Sequence, residues 1–255
     1  MTSPFLWRVE ESARNAWPAL EEVFFDGWLI RFANGLSRRA NSANPLTLRP
    51  QRSALVIEEI RALYQRRGRP AIFRLPSFLA PEMDQRLDHL GYRKEGESVV
   101  LFGPARGAKP ALAPEVALAF APGAHWFAAM ARLQGYSKEE AAAYRAILGR
   151  IALPAAFASL SLDGEIAALG YAVAHRRLVH IGSMITDPRR RRSGFARRIL
   201  EGLAGWGKTC GANGFSLEVD AENAPARALY AAFGIDSELY RYHYRQEPLR
   251  QKPRP

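Results

Sequence analysis

The 255-residue sequence contains a single cysteine, Cys210, and five histidines that show no ligand-like pairing. One thiol excludes a disulfide framework and a multi-cysteine metal site, so no metal is expected and a reducing compartment fits. No apolar run approaches the roughly 20 residues needed to span a bilayer. The opening MTSPFLWRVEES carries acids where a signal peptide needs an apolar stretch, so a cytoplasmic protein with no membrane partner is expected. The dinucleotide-binding signature GxGxxG is missing as well. Acids are in short supply, with 25 Asp and Glu against 36 Lys and Arg, leaving a net charge of +11.

What is present describes an ordinary globular protein, 48% hydrophobic and 24% charged, long enough for one large domain or two modest ones. The charge surplus invites a nucleic-acid reading, so its location matters. Residues 1–110 carry +5 and residues 111–255 carry +6. The second share equals the six arginines Arg189, Arg190, Arg191, Arg192, Arg197 and Arg198. The first share, including Arg38, Arg39, Arg66, Arg67 and Arg69, has no assigned role. Aromatic residues do not interleave with the basic run and no recognition helix stands out, so no specific nucleic-acid partner is expected.

A Gly, Pro and Ala-rich stretch, GPARGAKPALAP from Gly103 to Pro114, reads as a linker between two halves. Before it, ESVVLF has the pattern of a strand. Beyond it, AAFASLSL and EIAALGYAVA flank Asp163-Gly164, which predicts a hairpin over 155–174. A strand follows over 178–185, ended by Thr186-Asp187-Pro188. Phe195, Ile199, Leu203 and Trp206 then fall on one face of a helix that starts after Ser193-Gly194. GFSLEVD over 214–220 predicts a strand, Asn223-Ala224-Pro225 opens a short helix, and 240–244 closes with a strand. Ser137-Lys138-Glu139-Glu140 has the spacing of a capping box. At an offset of 143 residues Pro45 matches Pro188 and Gly91 matches Gly234, with helix, strand and helix between the markers in both halves. At that offset Gly194 becomes Gln51, Ala196 becomes Ser53, Glu218 becomes Leu75 and Tyr230 becomes Leu87, so a polar site in the second half should be missing from the first.

The chemistry gathers between 184 and 230. A strand-to-helix loop such as Arg191-Arg192-Ser193-Gly194-Phe195-Ala196 aims backbone N–H groups and the positive end of a helix at an incoming phosphate. Gly194 permits close approach, and arginine side chains add charge-assisted bonds. Downstream come Leu217-Glu218-Val219, Asn223, Ala228-Leu229-Tyr230 and Phe233-Gly234. The loop, of the form R-x-x-G-x-A, together with this Asn-to-Tyr segment resembles the GNAT (Gcn5-related) N-acetyltransferase family over roughly residues 155–244.

That resemblance implies an α/β fold with a mixed sheet, duplicated here. Residues 1–103 would be a degenerate copy, 104–114 the linker, 115–247 the catalytic copy and 248–255 a basic tail. It implies acetyl-CoA as acyl donor and a small-molecule or peptide amine as acceptor, attacking directly in a ternary complex. Backbone groups of Met184, Ile185 and Thr186 would pair with the pantetheine arm, and those of Arg192, Ser193, Gly194, Phe195, Ala196 and Arg197 with the pyrophosphate. Arg191 and its neighbours would reach phosphates, and Asn223 would bond the cofactor arm, cap its helix, or both. Tyr230 would hydrogen-bond the departing sulfur. Glu218, 12 residues earlier, is the candidate general base, with His180 and Asp220 as further candidates. Cys210 reads as inert packing. A non-catalytic acyl-CoA sensor and a basic nucleic-acid-binding module are the alternatives.

Overall fold

The protein, as a computed structural model, is described over residues 4–48, 50, 52–79, 81–105 and 115–248. The expected linker from 106 onward, the tail from 249 and Gln51 lie outside the described residues. In chain order the elements are α1 (Pro4–Ala16), β1 (Glu21–Phe25), β2 (Trp28–Phe32), β3 (Ala43–Pro45), α2 (Ala54–Gln65), β4 (Ile72–Pro76), α3 (Glu82–His89) and β5 (Arg93–Pro104). The second half adds β6 (Val116–Ala119), α4 (Ala124–Gln134), α5 (Lys138–Leu148), β7 (Ala155–Leu162), β8 (Glu165–His175), β9 (Leu178–Thr186), α6 (Phe195–Thr209), β10 (Gly214–Asp220), α7 (Ala224–Ala232) and β11 (Ser237–Gln246). Gly103 and Pro104, expected in the linker, end β5 opposite Phe215 and Gly214.

Local chemistry explains most of the boundaries. Asp163 and Gly164 both take left-handed backbone, at φ +54° and +80°, the tight hairpin turn that this dipeptide favours. Ser137 and Glu140 close a reciprocal capping box at the start of α5. Gly91 and Gly234 follow α3 and α7 at φ +79° and +88°, a conformation in which a Cβ is strained.

All eleven strands form one mixed sheet in the order β1-β2-β3-β4-β11-β5-β10-β9-β8-β7-β6. The middle of that order carries the architecture. β11 lies between β4 and β5, antiparallel to both, and β5 lies between β11 and β10. Each half therefore lends its last strand to the other. The succession of three strands, helix, strand, helix and strand occurs twice, and α2, β4, α3 and β5 stand close to 143 residues before α6, β10, α7 and β11.

Strand alternation sorts the faces. Phe73 and Leu75 pack with α2 and α3, while Phe215, Leu217 and Val219 pack with α6 and α7. Their neighbours Arg74, Ser216 and Glu218 point to the opposite face, where Val9 of α1 meets Val100, Tyr240 and Tyr242, and where α4 and α5 cover Phe157, Leu169 and Tyr171.

The exchanged strands leave little room where they meet. A Cβ on Gly103 would collide with the Gly234 carbonyl oxygen and lie 2.8 Å from Ile235 Cα, both backbone atoms. Gly103→Ala is expected to lower unfolding free energy by roughly 1–3 kcal/mol in urea denaturation, the usual cost of overpacking. A variant as stable as the parent would show that this seam can yield.

Candidate active site

The site begins where two parallel strands part. β9 and β10 pair from Leu178–Gly214 to Ile181–Leu217, and the pairing stops there. Gly182 and Glu218 are the first residues beyond the split. On its other side β9 stays paired with β8 as far as Thr186, but Ser183 and Met184 oppose Gly170 alone. This is a β-bulge, which frees backbone groups from the ladder. Ser183 takes φ +50° within it. A Cβ on Gly182 would lie 2.6 Å from the Tyr171 ring, so glycine is what lets that ring approach the strand so closely. Met184, Ile185 and Thr186 form the free edge of the split, and the buried Thr186 Oγ1 has no hydrogen-bond partner among the described residues.

The loop leaving β9 ends at that split. Asp187 accepts from the Arg189 backbone N–H and turns the chain through Pro188–Arg190. Arg192 and Gly194 are both left-handed, at φ +67° and +76°, and the space a Gly194 Cβ would occupy is open. No side chain caps α6, so its first N–H groups face outward. At the matching helix of the first half, Ser53 accepts from the Val56 N–H and closes that end. The six arginines divide. Arg189 pairs with Asp187, Arg190 with Asp163, Arg197 with Glu201 and Arg198 with Glu115, leaving Arg191 and Arg192 without a carboxylate among the described residues. An uncapped helix end, an open glycine, an orphaned hydroxyl and two unpaired guanidiniums fit an elongated ligand with phosphates at one end.

Asn223 caps α7, its Oδ1 accepting from Ala226 N, which leaves its Nδ2 donors free. Tyr230, on α7, is buried among Leu217, Val219 and Ile235, and no described residue bonds its hydroxyl. Burial pushes its pKa up to about 12.

Glu218 has a different part from the one its spacing suggests. One oxygen takes Arg39 and the other takes Arg74 Nη2 at 3.0 Å. Arg74 in turn pairs with Glu10 of α1, whose carboxylate also accepts from Tyr240 and Arg14. Burial alone would raise the Glu218 pKa, but Arg39 and Arg74 outweigh it and hold it below the ordinary value. A carboxylate so stabilised, with both oxygens engaged, is a poor proton acceptor, which weighs against the expected general base. His180 is 2% exposed, faces Ser216 Oγ at 3.2 Å, and burial pushes it down to about 4, so it is neutral and out of reach of a substrate. Asp220 is exposed and accepts from the Glu222 N–H. Cys210 is exposed at the end of α6 instead of packed. Arg39, Arg74 and Glu10 were not legible as site residues. Among the described residues no cluster suits a metal, and no helix is long and apolar enough to cross a membrane.

A family described as probable histone acetyltransferase Rv0428c C-terminal matches residues 6–245. A Bacillus subtilis protein, named uncharacterized N-acetyltransferase YobR, is 24% identical over 242 residues, covering 93% of this chain and 97% of its own. The Mycobacterium tuberculosis probable histone acetyltransferase Rv0428c is 30% identical over 217 residues, 80% of this chain, and the match spans 62% of that relative's length. The GCN5-related N-acetyltransferase from Kribbella flavida shares the fold with a TM-score of 0.66 at 13% identity, over 97% of this chain and 96% of that one.

Two buried groups near the split tie stability to acidity. His180 is neutral in the fold, so protons bind the unfolded chain first as pH falls below about 6.5, and stability is lost until about 4. Burial opposes ionised Glu10, yet Arg74 and Arg14 bring it to about 2, so its share is complete above the ordinary 4.5 and lost as pH falls toward 2. Both signs agree, each group contributing about 3 kcal/mol. Urea denaturation from pH 7 to pH 4 should show falling stability, with the upper part of the slope removed in His180→Gln. A flat profile would contradict the assignment.

Proposed function

The chain belongs to the Rv0428c C-terminal family of GNAT-type N-acetyltransferases, and from that premise we propose that it transfers acetyl from acetyl-CoA to a primary amine by direct attack in a ternary complex. The observation that carries the reading is the split between β9 and β10, with the uncapped end of α6 at its mouth. When bound, acetyl-CoA supplies an activated thioester and a stable leaving thiolate.

The residues present fit it. Free backbone groups of Met184, Ile185 and Thr186 extend one strand edge toward a pantetheine arm, and Thr186 Oγ1 gains the partner it lacks. The N–H groups from Arg192 to Arg197 receive the pyrophosphate, with Arg191 and Arg192 supplying unpaired charge. Asn223 Nδ2 donates to the arm. The bulge at Ser183 and Met184 would supply N–H donors to an oxyanion. Tyr230 remains protonated near neutrality. Handing its proton to a thiolate of ordinary pKa near 8.5 is uphill by roughly 3.5 units, about 5 kcal/mol, so Tyr230 stabilises the sulfur by a hydrogen bond. With Glu218 held by two guanidiniums, the amine loses its proton to water. The sole cysteine lies at the far end of α6, about 22 Å of helix from Gly194, which favours direct attack over a cysteine-bound intermediate.

The repeated element order and the shared offset support a tandem protein in which residues 1–103 are a copy without a cofactor loop. Its matching helix end is closed by Ser53, and Arg52 beside it is paired with Glu82.

Calorimetric titration with acetyl-CoA tests the reading. Gly194→Glu should abolish binding, and Arg191→Ala with Arg192→Ala should weaken it at least about 10-fold. Arg197→Ala, which keeps its backbone N–H, should change it little. Tyr230→Phe should lower kcat about 10- to 100-fold with the KM for acetyl-CoA unmoved. Intact affinity in Gly194→Glu would defeat the loop assignment.

A further inference from the structure

Arg39 is the most open member of the buried ion network around Glu10, Arg74 and Glu218, in which Arg14 is 14% exposed. Side chains of Glu10, Arg74 and Glu218 are 0–3% exposed, whereas that of Arg39 is 25% exposed. It reaches the network from the first half and binds Glu218, the first residue of β10 past the split, on the face opposite α6. Only its Nη1 has a partner. Its Nε and Nη2 bond nothing among the described residues, and neither is among the buried atoms that lack a partner. Those two nitrogens form the side-on edge of a guanidinium, whose parallel N–H bonds match the two oxygens of a carboxylate.

The group is held in place. Its guanidinium lies 5.1 Å from the centre of the Trp17 ring, and the Trp17 indole N–H is anchored on Ser37 Oγ at 3.2 Å. Its own carbonyl accepts from Arg31 Nη1 at 3.1 Å. The surrounding charge is positive. Arg14, Arg31, Arg39 and Arg74 stand against Glu10, Glu22 and Glu218. A lysine on a basic peptide would bring ammonium against this surplus. An amine that also carries a carboxylate would meet the open edge of Arg39, while the same field favours its uncharged, attacking form.

We propose that Arg39 is a specificity-determining residue and that the acceptor is an amine bearing a carboxylate, of the amino-acid class. This rests on the acyl-transfer reading of the cleft. The test is a panel of amino acids, each beside its carboxamide, with a lysine-rich peptide as third arm. The parent should favour carboxylates by at least about 10-fold in kcat/KM. Arg39→Met should bring that ratio toward unity, chiefly through the acceptor KM, and Arg39→Lys should restore part of it. Affinity for acetyl-CoA and the melting temperature report whether each variant has folded, and the parent's own ratio decides the matter without any variant. Equal use of carboxamides or the peptide by the parent would overturn the proposal, as would an unchanged ratio in Arg39→Met. If no amine is acetylated, titration of the same pairs into the CoA-loaded parent separates the two failures. Preference for the carboxylate would then uphold Arg39 and defeat the transfer reading, and no preference would defeat both.

Discussion

The Glu218 side chain is 3% exposed and held ionised, and the rest of the site is arranged around that fact. A buried charge of this kind survives only if its oxygens are filled by oppositely charged donors, and removal of one partner from such a pair typically costs about 3–5 kcal/mol. Its partners come from the other half of the chain. Arg74 stands on β4, which β11 and β5 separate from β10, a distance of roughly 14 Å at ordinary strand spacing. The two side chains bridge that distance together, the Arg74 guanidinium lying over the ring of Tyr242, 3.7 Å from the centroid, and Glu218 reaching back to meet it. The ion network and the exchanged strands are therefore one constraint. The strands bring the two charges within reach, and the charges penalise any separation of the strands.

Arginine suits this duty better than lysine. The chain has 31 arginines and 5 lysines. A planar guanidinium can stack on an aromatic ring and still offer donors along its edges, as Arg39 does on Trp17 and Arg74 on Tyr242. A point-like ammonium lacks the planar edge that pairs with a carboxylate while the face stacks on a ring. Many individual arginines serve as internal wiring or as paired surface charge, while the net surplus of +11 stays uncompensated because each pair consumes an acid as well.

What was legible in the sequence follows the range of the interactions. The hairpin at Asp163-Gly164, the capping box of α5 and the loop at Gly194 rest on neighbours in the chain, and each stands where the residues put it. β2 shows no alternation because all five of its residues are buried, β3 has only three residues, and α1 and β6 were equally silent. The tie from Glu218 to Arg74 spans 144 residues and the tie to Arg39 spans 179. No spacing rule within β10 could distinguish an exposed base from a carboxylate gripped at that distance. The arginine run shows the same limit. Its count matched the surplus of the second half, but four of the six spend their charge on carboxylates, two of which, Asp163 and Glu115, lie far off in the chain.

The two sides of the split are thus specified differently. On the proposed reading, the acyl donor's side is built mostly from one contiguous stretch, from Gly182 to Arg198, in which backbone geometry would do most of the recognition, joined by Asn223 and Tyr230 of the α7 segment. Such a surface depends on the bulge, the glycine and the uncapped helix end, and it tolerates change elsewhere. The opposite side is furnished by α1 and by the turn around Arg39, delivered across the sheet by the exchanged strands. If Arg39 sets the acceptor as proposed, substitutions in the first half would alter what the cleft accepts without touching the loop at Gly194, provided that Glu218 keeps two partners. On the proposals above, the half whose helix end is closed by Ser53 is the half that would furnish the acceptor's side.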